Sequence, residues 1–168
     1  MSRRRFTLTF PDDRRLALGE RTLVMGVVNV TPDSFSDGGQ CLDPDRAVDA
    51  GRRLADEGAD ILDVGGESTR PGARPLPADV ELARVIPVIE RLAAHVRIPI
   101  SVDTYKASVA EAAIAAGAVM VNDISGLRYE PGLAAVAARR GVPLVLMHTR
   151  GRSANMYEQA FYHDVVDE

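Results

Sequence analysis

The chain has 168 residues, 46% of them hydrophobic and 26% charged, a balance that fits one soluble globular domain built on one core. Its formal net charge of -4 and pI near 5.4 argue against a nucleic-acid surface, and no apolar stretch approaches the roughly 20 residues of a membrane span. The single cysteine, Cys41, excludes an intrachain disulfide and a cysteine-based zinc cluster, and it suits a reducing, cytoplasmic setting.

Arg3 to Arg5 read as a solvated start rather than a basic arm. Phe6 to Phe10, the turn-rich Pro11 to Asp13 and a second β-like run near Arg21 to Leu23 predict a hairpin ahead of the main fold. The apolar run Leu23 to Val28 then predicts a strand emptying into a polar loop, Asn29 to Gly39, with Pro32 inside it. Asp43 and Pro44 supply an N-cap and a first helical position. Ala47, Val48, Leu54 and Ala55 form the apolar positions of that helix, and Gly58 ends it. Asp60 to Val64 is a short buried-type strand that runs into Gly65 to Gly72, with Pro75 and Pro77 beyond. The glycine and proline content of both loops, and their lack of apolar anchors, predict that 31–40 and 66–76 move when no ligand is bound. A helix from about Ala78 to Ala94 follows, with Leu82, Ile86, Ile89 and Ala93 on one face and a kink expected at Pro87. Ile98 to Asp103, Ala118 to Asp123 and Pro143 to Met147 complete the strands. The helices Lys106 to Ala116 and Pro131 to Arg140 lie between them, stopped by Gly117 and Gly141.

Near-continuous apolar strands alternating with amphipathic helices indicate an α/β fold with a parallel sheet. Asn29, Asp63, Asp103, Asn122 and His148 fall at or near the carboxyl ends of successive strands, the end where both barrels and doubly wound sheets place their chemistry. No Gly-x-Gly-x-x-Gly follows the first main strand and no P-loop string occurs, so dinucleotide and P-loop readings lose. Arg70 in a glycine-rich loop suits a phosphate or carboxylate. Asp103 either accepts N–H groups of a heterocycle or caps the next helix. Asn122 offers the donor and acceptor pair that an amide-like ring edge needs, with Asp123 as a supporting or capping group. Met147 suits the face of a planar ring, and His148 is either a phosphate contact or a plain polar loop residue.

The string Asn29-Val-Thr-Pro-Asp-Ser-Phe-Ser-Asp-Gly-Gly39 closely resembles the first signature of the dihydropteroate synthases. Gly65-Gly-Glu-Ser-Thr-Arg-Pro-Gly72 is similar to that family's second loop, and the resemblance runs from the first main strand to the fifth. It implies a (β/α)8 TIM barrel, here truncated to about five βα units behind an N-terminal hairpin, with residues 1–168 as one C-terminally incomplete pterin-binding domain. The implied reaction joins p-aminobenzoate to 6-hydroxymethyl-7,8-dihydropterin pyrophosphate, giving 7,8-dihydropteroate and pyrophosphate, with magnesium as the metal. By matching position, Asn29 would contact the magnesium, and Thr69 and Arg70 the pyrophosphate-bearing substrate. Asp103 and Asn122 would meet the pterin, and Phe35, Asp37 and Pro71 would form the p-aminobenzoate pocket, with Met147 a substrate contact by its fit to a planar ring. Asp103, Asp37 and Arg70 are the implied catalytic set, and full-length members are expected to be homodimers. The family pattern continues with an Asp, a Lys and an Arg-x-His after strands six to eight. The chain is therefore expected to be a fragment of a longer enzyme or an early-terminated product. The competing readings are a non-catalytic pterin-binding fragment and a pterin domain of the corrinoid methyltransferases.

Overall fold

The computed structural model describes residues 4–31, 43–68, 73–152, 155 and 161–167. Its first elements are β1 (Phe6–Thr9) and β2 (Arg15–Leu18), an antiparallel hairpin with Phe6 opposite Leu18. The second strand lies earlier than the expected Arg21 to Leu23, because the turn closes tightly. Asp12 accepts the Arg14 N–H at 3.1 Å, the Phe10 N–H reaches the Arg14 carbonyl at 3.0 Å, and Asp13 takes the left-handed φ of 62°. Arg21 is instead drawn to the main fold, with its Nη1 2.9 Å from Asp60 Oδ2, an oxygen that also accepts the Val24 N–H at 2.9 Å.

The main sheet contains β3 (Met25–Asn29), β4 (Ile61–Gly65), β5 (Ile100–Asp103), β6 (Met120–Asp123) and β7 (Leu144–Leu146). All are parallel and hydrogen-bonded in chain order. Between them run α1 (Pro44–Asp56), α2 (Ala78–His95), α3 (Ala107–Ala115) and α4 (Gly132–Arg140), each packed against the next. A doubly wound sheet reverses its strand order and puts helices on both faces, whereas this order never reverses and neighbouring helices touch throughout. The winding is that of a (β/α)8 barrel, with five of its strands in place.

Asp43 caps α1, its carboxylate accepting the Asp45 N–H at 2.9 Å, with Pro44 at the first position. Gly58, at φ 104°, stops the chain just beyond that helix. The apolar stripe of α2 is rotated from the expected one: Val85, Val88, Ile89 and Leu92 are buried, Leu82 and Ile86 flank them, and Ala93 is exposed. Glu81 continues that buried stripe at 1% exposure, which an apolar-face reading would not select. Pro87 lies inside one continuous helix, Ala78–His95.

The core that the strands share with the helices is built from Val28, Leu62, Val64, Val102 and Val121 against Val85, Ile89, Leu92, Val109 and Leu133. A second, smaller cluster lies on the other sheet face. Phe10 packs with Ile61, Val119 and Met120, joined by Leu8, Leu16 and Met25, so the hairpin covers the inner face at the strands' amino ends. The carboxyl ends are thereby left as the place where the inner face can meet a ligand. Among the described residues no helix is long and apolar enough to cross a membrane.

Candidate functional site

Strand register aligns the sequence-predicted residues. Asn29 pairs with Gly65, Gly65 with Asp103, Asp103 with Asn122 and Asn122 with Val145, forming one row across the carboxyl end of the sheet. Side chains alternate along a strand, so Asn29, Asp103 and Asn122 share the inner face with the row two residues back, Val27, Asp63, Ser101 and Met120.

Asp63, expected at a strand end but with no role assigned, lies at the centre of this patch at 3% exposure. Its Oδ2 accepts the Asn122 amide Nδ2 at 2.9 Å, and the buried Ser101 hydroxyl stands opposite it in the next strand. Burial pushes the Asp63 carboxyl above the usual carboxylate range, with hydrogen bonds from Asn122 and Ser101 pulling the other way. Since Asn122 spends an amide hydrogen on Asp63, its oxygen is left as the acceptor for a ligand.

Asp103, half-buried, has its carboxyl pushed up to about 7 by burial first and then by Asp63, Glu81, Glu67 and Asp123, all of them acidic. Gly65 gives it room: a Cβ there would come 3.2 Å from Asp103 Oδ2 and 3.3 Å from its Cβ. The helix-cap alternative fails for Asp103, because the first amide of α3, Ala107 N–H, is taken by Glu130 Oε2 at 3.0 Å. Asp123 is the turn-builder, accepting Ser125 N–H at 2.7 Å and Leu127 N–H at 2.6 Å.

Met147 follows β7, 40% exposed, tied by its N–H to the Asp123 carbonyl at 3.0 Å. His148 is an exposed loop residue whose Nε2 lies 3.0 Å from the Tyr162 hydroxyl. Phe35, Asp37, Thr69, Arg70 and Pro71 lie outside the described residues, as do 32–40 and 69–72 of the two loops expected to move. The described ends of the second loop are joined by a polar anchor: Glu67 Oε2 accepts the Leu76 N–H at 3.0 Å. The sequence could not show it, because the anchor is polar and not apolar.

Among the described residues no group of three or more His, Cys, Asp or Glu side chains could hold a metal. Asn29 nevertheless fits magnesium: it offers a neutral amide oxygen at an exposed strand end, and that ion takes few protein ligands beside waters and phosphate oxygens. The site as a whole is a row of acceptors, suited to a flat ligand rich in N–H donors.

Comparison with known proteins bears on the same residues. The family model described as pterin binding enzyme matches residues 25–168. The dihydropteroate synthase of Bacillus subtilis is 56% identical over 135 residues, covering 80% of this chain and 47% of that protein. Among solved structures, the Xanthomonas albilineans dihydropteroate synthase with 4-aminobenzoic acid superposes with a TM-score of 0.82 at 53% identity, covering 95% of this chain and 57% of that one. The same organism's enzyme in complex with 7,8-dihydropteroate gives a TM-score of 0.77 at 50% identity, covering 93% and 53%. The chain spans about half the length of the curated relatives it matches.

Proposed function

Because this chain belongs to the pterin-binding enzyme family, we propose that it supplies the pterin-recognition face of a dihydropteroate synthase, which joins p-aminobenzoate to 6-hydroxymethyl-7,8-dihydropterin pyrophosphate and releases pyrophosphate. The observation that carries the reading is the in-register pair Asp103 and Asn122, with Asp63 buried beneath and bonded to Asn122. A pterin edge presents ring N–H and amino donors together with a carbonyl. Asp103 takes the donors, and the Asn122 oxygen is held toward a further one by the bond to Asp63.

Departure of pyrophosphate leaves positive charge on the exocyclic methylene carbon, shared with the electron-rich ring. A carboxylate already paired with ring N–H groups stabilises that charge more than it stabilises the neutral ground state. No strong protein nucleophile is required, since the amine of p-aminobenzoate attacks the carbon. Thr69 and Arg70 are proposed to hold the pyrophosphate, and Phe35, Asp37 and Pro71 to line the p-aminobenzoate side, with Met147 against the pterin face. Magnesium held at Asn29 would supply charge neutralisation for the leaving group. A cytoplasmic location is supported by the single cysteine, and homodimeric assembly carries over from the resemblance alone.

Calorimetric titration of the chain with 6-hydroxymethyl-7,8-dihydropterin tests the reading. Asp103→Asn and Asn122→Ala should each weaken binding on the order of tenfold or more, the cost of leaving buried polar groups unpaired. An affinity unchanged in both variants, or no binding by the parent chain, overturns it. Incorporation of radiolabelled p-aminobenzoate by the protein that carries this chain then tests turnover.

A further inference from the structure

Behind the inner face, between the strand-end loops and α2, lies a buried group of charges that the proposed chemistry does not use. Lys106 Nζ lies 2.5 Å from Glu67 Oε2 and is also bonded to Glu81. Glu81 is 1% exposed and Lys106 9%, so each charge would be costly alone, and each is compensated by the other. This pairing explains why an acidic residue occupies a core position of α2.

Glu67 is the member that holds the loop. Its Oε2 accepts the Leu76 N–H at 3.0 Å, and its Oε1 accepts the Tyr105 hydroxyl at 3.1 Å. Glu67 stands where the chain leaves β4 and Leu76 where it approaches α2, so one carboxylate closes the neck of the intervening loop. Two further contacts seat that neck on α2: Arg84 Nη1 donates to the Gly66 carbonyl at 2.8 Å, and a Cβ at Gly66 would come 2.8 Å from Val85 Cγ1. Lys106 ties the neck to the turn that begins just after Asp103, where its own N–H donates to Thr104 Oγ1 at 3.1 Å. Its ammonium also lies 4.4 Å over the Tyr105 ring.

We propose that Lys106 is a positioning residue: by holding Glu67 across the neck of the loop after β4, it fixes the footing of that loop beside Asp103. The proposal rests on the pterin-site reading above for its functional meaning, and on the Glu67, Glu81, Tyr105 and Leu76 contacts for its physical content. A bridge serving stability alone needs no such arrangement, since apolar side chains of similar volume commonly stabilise a fold as well as a buried ion pair does. Here the same carboxylate oxygen serves both the ammonium and the loop-closing amide, so losing the ammonium frees the carboxylate to swing to solvent and release Leu76.

Hydrogen exchange of the Leu76 amide, with Val64 and Val102 as core references, tests this in Lys106→Met and Lys106→Arg, alongside calorimetric titration with 6-hydroxymethyl-7,8-dihydropterin. In Lys106→Met, Leu76 should exchange on the order of tenfold faster while the core references hold. Pterin binding should weaken to a similar degree, and Lys106→Arg should restore most of both. If Lys106→Met does not fold, Lys106→Met combined with Glu81→Gln removes the uncompensated buried charge and should show the same loosening at Leu76. Unchanged Leu76 exchange overturns the proposal, as does faster exchange at Leu76 and the core references together, or loosening at Leu76 with pterin affinity intact. Failure of the parent chain to bind pterin sinks the reading of the site, while the exchange data still decide whether Lys106 holds the neck.

Discussion

Replacing Asp103 with asparagine should stabilise the fold at neutral pH while weakening pterin recognition. The Asp103 carboxyl is pushed up to about 7, against an ordinary value of 3.8. Below pH 3.8 the folded and unfolded states both carry the proton, and the residue sets no pH dependence. Between 3.8 and about 7 the folded state keeps a proton that the unfolded state has released, so stability falls as pH rises, and above about 7 the full cost is present. That interval is about three pH units at ~1.4 kcal/mol each, a ceiling of about 4 kcal/mol. Asp103 is partly open to solvent, which reduces the expected gain in Asp103→Asn to about 2 kcal/mol at pH 8, shrinking toward zero near pH 4. Urea denaturation of parent and variant at pH 4, 6 and 8 reads this directly, with pterin titration on the same samples. A variant less stable than the parent at pH 8, or a stability difference that does not grow from pH 4 to pH 8, would refute the claim that burial among carboxylates strains Asp103.

Gly65→Ala places a methyl group 3.2 Å from Asp103 Oδ2, so pterin affinity should drop on the order of tenfold for a stability loss of only about 1 kcal/mol. Retained affinity would show that Asp103 can step aside without consequence. Phe10→Ala empties the centre of the cluster that closes the amino end of the inner face, Phe10 being 2% exposed. Chemical denaturation should register a loss of about 3–5 kcal/mol, and a loss below about 1 kcal/mol would mean that the hairpin is not part of the folded core.

The sheet was legible because its five strands are apolar runs broken by glycine, proline and polar loops, a pattern that tertiary context reinforces. The hairpin's second strand lies away from its expected place because Arg15–Leu18 is short and has no β-branched or aromatic residue, whereas Arg21 to Leu23, with Thr22, looks β-like and is in fact a lead-in pinned by Asp60. Asp103, Asn122 and Asn29 were legible as polar residues ending apolar strands. Asp63 carried the same kind of signal in stronger form, an acid inside Ile61–Gly65, and the cost of burying it should have marked it as functional. The Glu81 to Lys106 pairing was not legible at all. Its partners are 25 residues apart, and only the packing of α2 beside the β5–α3 turn brings them together.

The contrast between these two groups of acids says what the ligand must bring. Glu67 and Glu81 share a lysine, Asp60 and Arg21 satisfy each other at the sheet's amino end, and the buried Asp123 accepts two backbone N–H groups, so where this fold needs an acid for structure it supplies a cation or backbone amides beside it. Asp63 and Asp103 break that rule. They lie in adjacent strands on one face, both carboxyls are raised by burial, and Asp63, Glu81, Glu67 and Asp123 push Asp103 further the same way. A fold selected for stability alone would have replaced one of them with an apolar or amide side chain. What compensates the pair must arrive from outside as N–H donors or positive charge. A pterin supplies the first in its ground state and the second as pyrophosphate departs, so the residual strain at Asp103 is relieved most in the transition state.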